Sequence, residues 1–118
     1  MAKDKIAKTN FDFFTLLNQE EPTGTATSVT LYNGRKFSDY PLLLFMYTRG
    51  AYFRATQIIP KNTFAAGTYG VSMSDVDSVN TQRWCEVKYI DDTHVTLQCS
   101  SNAVGTNTKV YLYGISTT

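Results

Sequence analysis

Two runs in the last third of the chain alternate apolar and polar residues: Cys85, Val87 and Tyr89 in one, then Val95, Leu97 and Cys99 in the other. Such alternation gives a strand one dry and one wet face, the pattern of an antiparallel sheet half-buried in a sandwich. Residues directly opposed across a hairpin share a face, so the odd-numbered positions meet across a three-residue loop of Asp91, Asp92 and Thr93. This predicts the pairs Cys85 with Cys99, Val87 with Leu97 and Tyr89 with Val95. A third run, Thr108 to Ile115, has the same strand character.

At 118 residues the chain is long enough for one core. Eleven basic and ten acidic side chains give a net charge of +1, and the basic residues form no stripe, which argues against a nucleic-acid partner. The N-terminus lacks the apolar core of a secretory signal, and the apolar stretch 41–47 is far shorter than the roughly 20 residues of a membrane helix. No membrane insertion is expected. Two cysteines facing one another on paired strands read as buried, reduced thiols.

Turn residues punctuate the chain at the spacing of a small β-sandwich. Strands are expected near 27–32, 42–48, 51–59, 68–74, 83–90, 94–99 and 108–115, with polar loops at 74–81 and 100–107. The fold class is all-β: a small antiparallel, jelly-roll-like β-sandwich of about seven strands, with a short N-terminal arm or helix.

Residues 1–25 read as that arm, and 26–118 as the sandwich domain. Asn10 is placed to cap a short helix from Phe11 to about Glu20, ended by Pro22. Two readings of the cluster Phe11, Phe13, Phe14, Leu16 and Leu17 stay open. In one the arm docks on a larger partner protein; in the other it completes the hydrophobic layer of its own domain.

The hairpin from Leu42 to Ile59 departs from the one-wet-face pattern. A three-residue loop of Thr48, Arg49 and a left-handed Gly50 puts Phe45, Tyr47, Phe53 and Ala55 on one face. Leu42, Leu44, Met46, Tyr52, Arg54 and Ile58 fall on the other. Both faces are then largely apolar, as in a strand covered twice. Since a two-layer sandwich covers only one, the other needs a cover, the N-terminal arm or another copy of the chain, and the second set is assigned to an oligomer interface.

No catalytic constellation is evident. His94 is the only histidine, on the wetter face of its strand, and no Gly-x-Ser-x-Gly or activated cysteine context accompanies it. Cys85, His94 and Cys99 lack metal-knuckle spacing, and the cysteines point away from the histidine, so no metal or cofactor is expected. Asp75, Asp77 and Asn80 lack the glycine and distal glutamate of a calcium loop and read as solvated loop side chains. Arg83 and Trp84, with Tyr52 and Arg54, are candidate receptor contacts, because flat rings with polar edges suit sugars and proteins alike. Interface packing explains the same residues equally well.

The stretch from Ser28 to Phe45, the run Arg54 to Pro60, the hairpin Trp84 to Leu97 and the ending Val110 to Ile115 together resemble the C-terminal β-domain of bacteriophage tail-fibre and minor virion proteins. The likeness spans about residues 26–115 and rests on overall pattern. It implies a non-enzymatic virion structural protein, assembled in the host cytoplasm as a homo-oligomer, commonly a trimer in that family. Its implied role is that of a small fibre or tip subunit in host attachment, with the arm seated on a larger virion protein and a surface glycan or protein as receptor. A capsid head-fibre or decoration protein is the alternative within that class. A stand-alone carbohydrate-binding module is the alternative from another.

Overall fold

A computed structural model describes residues 13–51, 53–60, 63–64, 70–78 and 81–116. The strands are β1 (Phe14–Glu20), β2 (Thr27–Thr30), β3 (Leu42–Arg49), β4 (Phe53–Pro60), β5 (Gly70–Ser78), β6 (Thr81–Asp91), β7 (His94–Cys99) and β8 (Thr108–Ile115). They form two four-stranded sheets, sheet A in the order β1-β8-β3-β4 and sheet B in the order β2-β7-β6-β5. All strand pairs are antiparallel. The molecule is thus a small antiparallel β-sandwich. Its first two and last two strands wrap in jelly-roll fashion, β1 beside β8 in one layer and β2 beside β7 in the other.

Alternation builds the core. The inward positions Leu43, Phe45 and Tyr47 of β3 and Val110 and Leu112 of β8 meet Cys85 and Val87 of β6 and Val95 and Leu97 of β7, each at most 1% exposed. At one end Phe37, Phe45, Phe64 and Tyr89 pack together, with Phe45 and Phe64 edge to face at 5.0 Å between ring centres. Gly114 faces inward directly beneath the Tyr40 ring, so close that a Cβ there would overlap it.

The expected pairs Cys85–Cys99, Val87–Leu97 and Tyr89–Val95 all occur. Both cysteines are free and buried, and burial pushes both thiols up from their ordinary pKa. The turn is tighter than expected. The pairing shifts register between Tyr89 and Asp91, and Asp91 pairs with His94, leaving only Asp92 and Thr93 between the strands. Asp91 accepts the Thr93 backbone N–H at 2.8 Å, the Asx-type bond that closes such turns locally.

Three further expectations need correction. Residues 14–20 form a strand rather than a helix. An isolated helix of about ten residues is marginal in water, whereas β1 satisfies the backbone of β8's free edge. Five of the seven expected strands keep their places within a few residues, but β5 and β6 extend into the stretch read as the 74–81 loop: Val76 still pairs with Gln82 and Ser78 with Thr81. The β3–β4 pairing continues to Arg49 with Phe53, so the loop is 50–52 rather than 48–50. Both loops have three residues, so the division of faces is unchanged. Gly50 takes the left-handed φ of 61° that this turn requires.

Candidate assembly face

The outer surface of sheet A is a grid of strand rows fixed by register. Starting at the end where β1 begins, one row holds Phe14, Ile115, Leu42 and Pro60, and the next holds Leu16, Tyr113, Leu44 and Ile58. Both rows are wholly apolar or aromatic. The third row is mixed, Gln19, Tyr111, Met46 and Thr56, and the last carries Lys109, Thr48 and Arg54. Ile58 is 62% exposed and Phe14 50%. Tyr111 and Tyr113 stack at 6.3 Å between ring centres, and Phe14 meets Tyr113 edge to face at 6.4 Å.

The face exists because β3 and β8 carry large side chains at both parities. Their inward sets fill the sandwich, and Leu42, Leu44, Met46, Tyr111, Tyr113 and Ile115 are left pointing away from it, half-buried. Sheet B is built differently. Its outer positions include Ser72, Ser74, Glu86, Lys88, Thr96 and Gln98, opposed in pairs across β5, β6 and β7, with half-buried Trp84 as the large ring among them.

Of the residues assigned to an interface, Leu42, Leu44, Met46, Arg54 and Ile58 share this face; Tyr52 lies outside the described residues. The cluster assigned to docking is divided. Phe14 and Leu16 join the sheet A face, while Leu17 is fully buried in the core. The Phe13 carbonyl accepts the Ser116 N–H at 2.8 Å, and Phe11 lies outside the described residues. β1 therefore places part of the expected arm inside the sandwich.

Arg83 and Trp84 sit on opposite sides of β6, so they do not form one contact surface. Arg83 pairs with Asp75 across β5 and β6 and donates from Nε to the Asn102 carbonyl at 2.9 Å. Trp84 points outward beside Ser74. Tyr111, Tyr113, Ile115 and Pro60 were missed by the sequence reading. Their signal was present in Tyr111 and Tyr113 alternating with Val110 and Leu112, the same doubly apolar pattern seen in β3.

Asp75, read from sequence as a solvated loop carboxylate, is buried. It accepts a hydrogen bond from the Tyr47 hydroxyl and two from Arg49, at 3.1 Å from Nε and 2.9 Å from Nη2. Burial opposes its ionisation, but the bonds from Arg49 and Tyr47 and the charges of Arg49 and Arg83 outweigh burial and hold its carboxyl below the usual range. Burial and the same bond push the Tyr47 hydroxyl up. The cluster fastens β3 of sheet A to β5 of sheet B, and this dense internal pairing gives it a structural role.

His94 belongs to a surface turn, its Nδ1 lying 2.8 Å from Asp91 Oδ1 and 2.7 Å from the Thr93 hydroxyl. Among the described residues no group of three or more histidine, cysteine or acidic side chains converges as a metal site, and no helix is long and apolar enough to cross a membrane. A groove of about 270 Å³ lies between the β1–β2 connection and the β7–β8 loop, lined by Glu21, Pro22, Thr23, Val104 and Asn107 among others. Comparison with protein-family models, curated proteins and solved structures finds no match to this chain.

Proposed function

We propose that this chain is a non-enzymatic structural subunit of a bacteriophage virion, a small fibre or tip protein that forms a homo-oligomer and takes part in host attachment. The observation that carries the reading is the outer face of sheet A. Eight apolar or aromatic residues in two adjacent rows, with exposed Ile58 and Phe14 at opposite edges, form a contiguous patch of the kind that marks an interaction site. A subunit held permanently in an assembly keeps such a face dry; a free monomer carries it as an aggregation hazard. The resemblance of residues 26–115 to phage fibre and minor virion domains supplies the virion setting and a trimer as the oligomer.

Mass spectrometry of purified particles and labelling with an antibody to the chain test this reading. Stoichiometric presence at a fibre or tail tip supports it. Presence over the capsid shell instead supports the head-fibre or decoration role, and absence from particles overturns the virion role. Trp84, on the mostly polar outer face of sheet B with exposed Val76 nearby, favours one second reading, a stand-alone carbohydrate-binding module, because an indole face among hydroxyls, amides and carboxylates is suited to a sugar ring. A glycan-binding monomer that never enters particles would establish that alternative.

A further inference from the structure

We infer that neighbouring copies meet through sheet A with the same end up, the β4 side of one face lying against the β1 side of the next. This rests on the self-assembly reading above and specifies its contacts. The face has a direction: two apolar rows at the Phe14 and Leu42 end, then a row containing Lys109 and Arg54 at the other. If the next copy were inverted end to end, Arg54 and Lys109 would lie on its apolar rows. That places cations against a surface with no carboxylate to receive them, and the desolvation is uncompensated. Laid the same way up, apolar rows meet apolar rows and both cationic rows remain at one rim.

The order of strands completes the match. Sheet A runs β1-β8-β3-β4, so Arg54 stands on the β4 edge. At the same end of the β1 edge Glu20 pairs with inward-facing Val110 and so turns away from the outer face, and exposed Glu21 follows it in the chain. Bringing the β4 side of one copy to the β1 side of another sets Arg54 at the end where exposed Glu21 leaves β1, and sets Ile58 opposite Leu16, its equal in row.

The face, rather than the β1 edge, is the surface open to a second copy. The Tyr32 hydroxyl bonds both the N–H and the carbonyl of Gln19 at 3.1 Å, and a register shift interrupts β1 between Leu16 and Asn18. Both features block strand addition.

The test is cross-linking on the full chain under mild oxidation, with Cys85 and Cys99 retained because both are buried. A Leu16→Cys/Ile58→Cys chain is expected to form covalent oligomers in high yield, as is a mixture of the two single variants. Ile58→Cys alone is expected to remain uncross-linked. Arg54→Glu is expected to weaken assembly roughly three- to tenfold at low salt, and Glu21→Arg is expected to restore it. Circular dichroism of each variant establishes that it is folded. Efficient cross-linking of Ile58→Cys to itself overturns the inference by placing β4 on β4, while leaving self-assembly standing. Folded oligomers in which the Leu16→Cys/Ile58→Cys pair never cross-links also overturn it. A monomer at every concentration overturns both this arrangement and the self-assembly on which it rests, whereas the virion role is decided separately by particle labelling.

Discussion

Replacing Leu17 with alanine is the sharpest test of whether β1 belongs to the sandwich. Leu17 is fully buried and sits at the register shift of β1, where Leu16 pairs with Tyr113 and Asn18 with Leu112. The substitution removes three carbons, worth about 2.4 kcal/mol of transfer free energy at ~0.8 kcal/mol each. A cavity of roughly 60 Å³ left unrelaxed adds up to about 1.5 kcal/mol. The expected loss is therefore about 2.5–4 kcal/mol. For a domain of this size each kcal/mol moves Tm by about 4 °C, so Tm is expected to fall roughly 10–16 °C. Val76→Ala is the control, because Val76 is 61% exposed on the outer side of sheet B, away from the sheet A face. Thermal unfolding by circular dichroism, on samples held at one concentration because assembly shifts Tm, gives both values. If Leu17→Ala costs less than about 1 kcal/mol, or no more than Val76→Ala, then β1 does not complete this core. An independent arm becomes the better description.

Gly114→Ala is expected to destabilise by about 1–3 kcal/mol, since its Cβ would occupy the space of the buried Tyr40 ring; an unchanged denaturant midpoint would refute that packing. Acid should weaken the fold through Asp75 and Asp91, whose carboxyls are both held low in the folded state, Asp91 at about 2 chiefly by the Thr93 backbone N–H. Stability from such groups is complete above the unfolded carboxylate pKa of about 4 and is lost as pH falls through the lower folded value. Tm measured from pH 7 to pH 2 should accordingly decline below about pH 4, and Asp75→Asn should flatten that decline. Cys85 and Cys99 should react with a thiol reagent only on unfolding, because burial keeps both protonated and inaccessible. Rapid labelling of the native protein would contradict their placement.

Strand alternation is a local property, and it was legible wherever one face of a strand was wet. The β6–β7 register, the buried cysteine pair and the two-faced character of β3 all follow from the parity of apolar residues, because a strand's side chains have a period of two. Long-range pairing decided the rest. A run of aromatic and leucine residues after Asn10 fits a capped helix or an edge strand equally well, and only the unsatisfied edge of β8 selects β1. Asp75 looks like a solvated loop residue until β5 aligns it with Tyr47 and Arg49 from the other sheet, where paired hydrogen bonds offset its burial. The assembly face was half visible in Leu42, Leu44, Met46, Arg54 and Ile58. Its breadth was not, because Phe14, Leu16, Tyr113 and Ile115 come from the two ends of the chain. Sequence alone determines which side chains share a face of a strand; which strands lie side by side, and so which faces join into one surface, depends on hydrogen-bond pairing between segments up to about a hundred residues apart, such as Phe14 with Ile115.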